Sequence, residues 1–279
     1  MAPIALVTGT STGIGLSTAI HLAHKGFEVV ATLRNPARAE ALKARAAGEN
    51  VRLHVRELDV QSEASVHACV DDVLKTHGRI DLLVNNAGAG FLGTLEQTSD
   101  EAVRRTMDVN FFGVWRMTQA VFPAMRARGS GRIIAVSSIG GLVGQPFNDA
   151  YCAAKFAVEG FLESLSPVAR KLGIHVSLIE PGPVATEFVA TVLATGNGMQ
   201  SAAAAAYRPM LESYIAASKT MLSMSQTADD VAKVIVEAAT ATAPHLRYPT
   251  SEAMLGLIRR KYTDPTGDSV VAMTGEQFG

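Results

Sequence analysis

Residues 3–25, PIALVTGTSTGIGLSTAIHLAHK, decide the fold. Pro3–Thr8 is a continuous apolar run with β-branched residues, the pattern of a buried strand, and Leu16–Lys25 has helical character. Between them stands Gly9-Thr10-Ser11-Thr12-Gly13-Ile14-Gly15. Glycines permit a tight turn and close backbone approach, and the helix that follows presents unpaired N–H groups and the positive end of its dipole. Strand, glycine loop and helix opening a βαβ unit predict a dinucleotide site with a pyrophosphate at the helix start. The spacing is Gly-x-x-x-Gly-x-Gly, not Gly-x-Gly-x-x-Gly.

The next elements extend this unit. Glu28–Leu33 (EVVATL) reads as a second strand, and Leu33-Arg34-Asn35 stands where an NAD-selective site would place a carboxylate for the adenosine ribose. Arg34 instead offers a guanidinium to a 2′-phosphate, and Ser11 can add a donor, so NADP(H) is the expected cofactor. Pro36–Ala47 is expected to be a helix and Val51–Leu58 a third strand, with Asp59 and Val60 just past its carboxyl end, where Asp59 would meet an adenine amino group. After the helix Ser62–Thr76, the strand Ile80–Val84 ends in Asn85-Asn86-Ala87-Gly88, small residues that let a ligand approach the backbone. A helix capped by Ser99 follows, and it carries Asn110 among Val109, Phe111 and Phe112. A buried amide without partners costs roughly 1–3 kcal/mol, so Asn110 is expected to be well bonded.

The reactive groups cluster further on. Arg132–Ser137 (RIIAVS) reads as a strand, Ser138 follows at its carboxyl end, and Gly140, Gly141 and Gly144 form a loop leading to a helix over Tyr151–Leu172. Tyr151 and Lys155 are one turn apart on that helix. A phenol beside a cation is expected to ionise below its ordinary value, which suits an acid/base catalyst. Taken alone, Tyr-x-x-x-Lys is also an ordinary packed ring with a solvated ammonium.

Ile174–Ile179 is a sixth strand in which His175 reads as a packed residue, and Glu180–Thr186 is irregular. Residues 187–224, with the alanine run Ala202–Ala206 among Phe188, Met199, Tyr207, Met210 and Tyr214, are expected to be a lid over an apolar substrate; such a stripe of Met and aromatics is also an ordinary core pattern. Thr227–Thr240 (helix), His245–Tyr248 (strand) and Ser251–Lys261 (helix) complete the pattern, with 245–279 as a structured C-terminal tail. Strands alternate with helices throughout, so the expectation is one domain over residues 1–279, a doubly wound (Rossmann) parallel sheet of about seven strands with helices on both faces.

Composition narrows the function. The 279 residues are 48% hydrophobic and 18% charged with a formal net charge of -1, which gives no electrostatic footprint for nucleic acid. No apolar run reaches the ~18–20 residues of a membrane span. Cys69 and Cys152 fall in different predicted helices without metal-ligand spacing; no metal is expected, and reduced thiols suit a cytoplasmic location. The expected partner is a small molecule.

Thr8–Gly15, Asn85–Gly88, Asn110, Ser138, Tyr151 and Lys155, in this order and spacing, resemble the short-chain dehydrogenase/reductase family. The resemblance implies that Tyr151 is the acid/base, that Ser138 orients the substrate oxygen, that Lys155 holds the nicotinamide ribose and lowers the Tyr pKa, and that Asn110 anchors a proton-relay water. It implies further that Pro181-Gly182-Pro-Val184-Ala-Thr186 contacts the nicotinamide carboxamide. Ala31–Arg34, Gly140–Gly160, Leu246–Tyr248 and the Asp264…Gly279 ending are similar to the estradiol 17β-hydroxysteroid dehydrogenase and photoreceptor retinol dehydrogenase branch, which prefers NADP(H). That likeness puts Gly140, Phe147, Asn148, Phe188, Tyr214 and Glu276 beside the substrate. One departure is Ala217, which precedes Ser218-Lys219 where the steroid enzyme has a lid histidine; without that donor a distal hydroxyl is not strongly selected. The expected activity is hydride transfer between NADPH and a bulky apolar ketone, aldehyde or secondary alcohol, in a homodimer or a homotetramer. The alternative is a dinucleotide-binding sensor without turnover.

Overall fold

The computed structural model describes residues 2–186, 204–223 and 225–278. Seven strands form one sheet: β1 (Ile4–Val7), β2 (Glu28–Leu33), β3 (Leu53–Glu57), β4 (Leu82–Asn85), β5 (Gly131–Val136), β6 (Ile174–Glu180) and β7 (Arg247–Pro249). Their order is β3-β2-β1-β4-β5-β6-β7, and every pairing is parallel. The winding reverses between β1 and β4, and a crevice opens outside the carboxyl ends of these strands, the place where doubly wound sheets bind ligands.

Period-2 alternation sorts the strand side chains to two cores. Ile4 and Leu6 of β1 pack with Leu83 and Ile133 on one face, where α3 (Glu63–His77), α5 (Gly113–Arg128) and α6 (Asp149–Lys171) bring Val70, Met117, Val121 and Leu162. Ala5 and Val7 face the other way, onto α1 (Gly13–His24) and α8 (Ala228–Thr240) with Ile20, Leu22, Val231 and Ile235. Covering both faces explains why the strands read as continuous apolar runs.

Two predicted helices are divided. A 3₁₀ turn at Pro36–Arg38, capped by Asn35 Oδ1 accepting from the Ala37 N–H at 3.0 Å, precedes α2 (Glu40–Gly48). The helix capped by Ser99 runs as α4 (Asp100–Met107), then a π-helical turn at Asp108–Phe112, then α5. Inside that turn Asn110 Nδ2 donates to the Thr106 carbonyl at 3.0 Å, an acceptor one turn back in the helical ladder. Single π turns of this kind concentrate at functional sites.

From the insertion the structure describes α7 (Ala204–Ser223); residues 187–203 and 224, Phe188 among them, lie outside the described residues. The C-terminal segment holds α9 (Glu252–Thr263), α10 (Asp268–Gly275) and a 3₁₀ turn at Glu276–Phe278. Met254, Ile258 and Val270 from the tail pack on Ile139, Leu142 and Val143, just after Ser138. Among the described residues no helix is long and apolar enough to cross a membrane. Cys69 in α3 and Cys152 in α6 are buried free thiols.

Candidate active site

The glycine loop is built by contacts that tolerate no side chain. Gly9 has φ +71, and a Cβ there would meet the Ala87 Cα at 2.8 Å. A Cβ on Gly15 would meet the Gly9 carbonyl oxygen at 2.2 Å and Asn86 Nδ2 at 2.4 Å. Gly13, with φ +58, opens α1, and the Thr186 methyl lies 3.3 Å from where its Cβ would sit. Thr12, at the N-cap of α1, makes no side-chain cap bond, so the first-turn N–H groups, with Ile14 among them, are offered to an anion.

Asn86 serves this loop from behind. Its Nδ2 donates to the Thr8 and Gly9 carbonyls, each at 2.9 Å, while Thr8 Oγ1 accepts from the N–H groups of Asn86 and Ala87 at 2.9 Å. The Asn86 Nδ2 thus helps to hold the shape of the glycine loop. The bond from Thr10 N–H to the Thr32 carbonyl, 3.0 Å, brings the loop beside the end of β2. There Arg34 is exposed, and Leu33 beside it is 4% exposed. Asp59, partly buried, accepts the Gln61 N–H on Oδ1 at 3.0 Å, and Val60 is buried under Gly113.

Ser138, Tyr151 and Lys155 come together beyond β5. Ser138 Oγ accepts the Gly140 N–H at 3.0 Å and hydrogen-bonds the Tyr151 phenol. Lys155 is 5% exposed; its Nζ donates to the Val136 carbonyl at 2.9 Å and lies 5.7 Å from the centre of the Tyr151 ring. The titration runs against expectation. Burial of the phenol pushes Tyr151 up to about 12, against the lowering effect of Ser138, and burial pulls Lys155 down to about 8, against the raising effect of Glu159. The sequence places a cation one turn from the phenol but not the desolvation that both share, and desolvation wins because it disfavours each charged form.

Asn110 is fully buried, and its amide is satisfied on both sides. Oδ1 accepts the Ala89 N–H at 3.1 Å, and Nδ2 donates to the carbonyls of Ala89 at 2.8 Å and Thr106 at 3.0 Å. A Cβ on Gly88 would meet Asn110 Oδ1 at 2.8 Å and Lys155 Nζ at 3.9 Å. Only a glycine lets the Asn110 turn, the end of β4 and the lysine converge.

On the far side, the Pro181 carbonyl accepts the Ile139 N–H at 2.9 Å. Gly182 sits against Met254 Sδ, 2.5 Å from its would-be Cβ, and Val184 is buried and bridges to Gln226. Beneath this loop lies a charged group that sequence reasoning missed. Glu159, one turn after Lys155, and Glu180, at the end of β6, are 4% and 0% exposed, and both approach Arg247 at 3.2 Å; Arg247 also pairs with Glu163 at 2.7 Å. Desolvation and the neighbouring Glu159 charge raise Glu180 to about 8. An acid ending an otherwise apolar strand was the available signal.

The residues expected beside a substrate come from three segments. Gly140 faces Tyr151, whose Cε1 is 3.4 Å from its would-be Cβ. Phe147, with φ +60, packs edge-on against Tyr214 at 5.7 Å and Phe278 at 5.9 Å. Asn148 Nδ2 donates to the Tyr214 hydroxyl at 2.7 Å. Glu276 is exposed and has no hydrogen bond or ion pair among the described residues; Phe278 is the tail residue that reaches the cluster, and its lone aromatic ring was the sequence cue.

The family profile for short chain dehydrogenase matches residues 3–196. The chain belongs to the short-chain dehydrogenase family. It is 42% identical over 285 residues to human (Homo sapiens) 17-beta-hydroxysteroid dehydrogenase type 1, covering 99% of this chain and 86% of that one. Human retinol dehydrogenase 8 is 41% identical over 280 residues, 96% of this chain and 88% of the other. A short-chain dehydrogenase from Streptomyces avermitilis superposes with a TM-score of 0.80 at 29% identity, over 99% of this chain and 96% of that one. Similar solved structures hold either cofactor. A metagenomic short-chain oxidoreductase is a complex with NADP (TM-score 0.70, 26% identity, 88% and 96% of the two chains). A short-chain dehydrogenase/reductase from Burkholderia phymatum is a complex with NAD (TM-score 0.80, 25% identity, 94% of each chain).

For this short-chain dehydrogenase a nicotinamide dinucleotide fits the residues present. The glycine loop and the open first turn of α1 suit its pyrophosphate.

Proposed function

We propose that this oxidoreductase is NADP(H)-dependent and interconverts a bulky apolar ketone or aldehyde with the corresponding alcohol. The observation that carries the reading is the hydrogen-bonded Ser138–Tyr151 pair above the buried Lys155. Held by the glycine loop and the first turn of α1, a nicotinamide cofactor would supply or accept the hydride. Ser138 and Tyr151 together donate to the substrate oxygen. In reduction the Tyr151 phenol, protonated well past neutral pH, gives its proton to that oxygen; in oxidation it takes one back. Lys155 carries its charge below about pH 8 and so stabilises the phenolate left by that transfer. Asn110 fixes Ala89 and, with Gly88, holds the β4 end against Lys155.

Arg34 supports the choice of phosphate-bearing cofactor, being exposed at the end of β2 with no protein partner among the described residues. The apolar substrate class is supported by Phe147, Tyr214 and Phe278 around the entrance and by two relatives named for a hydroxysteroid and a retinol. In this reading residues 187–224 act as the lid. Assembly as a homodimer is supported by Phe112, Trp115 and Phe156, each at least 39% exposed on the face of the π turn, α5 and α6; a cytoplasmic location agrees with the two free thiols. The test is loss of NADPH absorbance with a panel of apolar ketones and retinal-like aldehydes. Turnover supports the proposal, and NADPH binding without turnover on any member contradicts it.

A further inference from the structure

A second cluster of reactive side chains lies at the opposite end of the sheet. Glu28 opens β2, and Leu33-Arg34 closes it; at ~3.3 Å per residue the two ends are about 17 Å apart. Glu28 Oε1 is 3.0 Å from His54 Nε2 and 3.2 Å from His77 Nδ1. The three donor atoms all lie within 4.8 Å of one another, and the two rings stand edge-on with centroids 5.2 Å apart. They come from β2, β3 and the last residue of α3, three elements remote in sequence.

We propose that Glu28, His54 and His77 form a site for a single Zn²⁺ ion. Zinc takes imidazole nitrogen and carboxylate oxygen at about 2.0–2.2 Å in a tetrahedron, whose ligand-to-ligand edge is then about 3.3 Å. The contacts from Glu28 to each histidine are within a few tenths of an ångström of that edge, and the third edge, between the two histidines, is no longer than 4.8 Å. Two imidazoles with one carboxylate suit zinc, copper or nickel better than magnesium or calcium, which favour all-oxygen sets. His77 is 8% exposed at its side chain and anchors the site, while His54 at 41% and Glu28 at 38% leave the fourth position open to water. Since β3 is the edge of the sheet, the ion would tie that edge strand to the end of α3. The chain's sequence spacing, with no short His-x-His or Cys-x-x-Cys motif, hides this arrangement; only the fold assembles it.

The experiment is calorimetric titration of the chelator-treated full chain with Zn²⁺, with thermal melts in parallel, for wild type, Glu28→Gln and His54→Gln. Both substitutions lie outside the catalytic machinery, so unchanged turnover certifies the fold of each variant. The expected result is one equivalent bound by wild type, a higher Tm with zinc than without, no response to Mg²⁺, and affinity lowered by more than about tenfold in each variant, the loss that even an outer-shell change produces. Absence of zinc binding in wild type, or wild-type affinity in both variants, overturns the proposal and leaves the cluster as a carboxylate between two histidines.

Discussion

Asn110 grips Ala89 from both sides, its Oδ1 accepting the Ala89 N–H at 3.1 Å and its Nδ2 donating to the Ala89 carbonyl at 2.8 Å. Asn110→Leu keeps the branched shape, though it is larger, and leaves a buried donor and two acceptors unpartnered. The expected outcome is a loss of about 1–3 kcal/mol or more in stability, together with lower kcat at temperatures where the variant is folded. Thermal melts paired with kcat check this, and an unchanged Tm would show that the Asn110 bonds contribute nothing net.

Gly15 lies so close to the Gly9 carbonyl and the Asn86 amide that a methyl group has no room. Gly15→Ala should destabilise the chain by about 1–3 kcal/mol through overpacking and weaken NADPH binding more than turnover on bound NADPH. Urea melts and a fluorescence titration with NADPH measure the two effects.

How far the sequence leads can be seen in particular residues. Pro3–Thr8 and Arg132–Ser137 were readable as strands because a sheet covered on both faces needs unbroken apolar runs. That Ser138, Tyr151 and Lys155 lie near one another was readable because their positions follow from strand ends and helical spacing. What was hidden depends on tertiary burial or on bonds between distant segments. Local spacing puts Lys155 near Tyr151, but only the packed fold desolvates both and drives their pKa values apart. The bonds from Asn86 to the Thr8 and Gly9 carbonyls join segments far apart in the chain, which local spacing does not reveal. The π turn at Asn110 is one inserted residue within an otherwise helical pattern, which periodicity over a short window does not resolve.

Glu180 links the buried charge cluster to pH. Its carboxyl ionises near 8 in the folded chain and near 4.3 when unfolded. Between these values the folded chain holds a proton that the unfolded chain has released, so this group's contribution to stability falls as pH rises through the window and stays low above it. Glu180→Gln removes that ionisation. The variant should therefore melt higher than wild type at pH 9 and close to wild type at pH 5; the reverse ordering would show that the Arg247 contact outweighs burial.

Arg34 tests cofactor choice. Leu33 is buried at the end of β2, so an acidic residue there would be desolvated, and Arg34→Ala is the cleaner change. A charge-assisted hydrogen bond contributes about 1.5–3 kcal/mol, and about 1.4 kcal/mol is a decade, so the ratio of kcat/KM for NADPH over NADH should fall about ten- to hundredfold. An unchanged ratio would make Arg34 a solvated loop residue.

The central claim is that Tyr151 passes the proton in hydride transfer, and Tyr151→Phe addresses it most directly because it removes one oxygen and leaves the ring in its packing. The measurement is kcat for NADPH-dependent reduction of the best ketone in the panel, alongside the Kd for NADPH. The account predicts a kcat lower by roughly 10²–10⁴ with NADPH binding near wild type. Turnover close to wild type in Tyr151→Phe would contradict it.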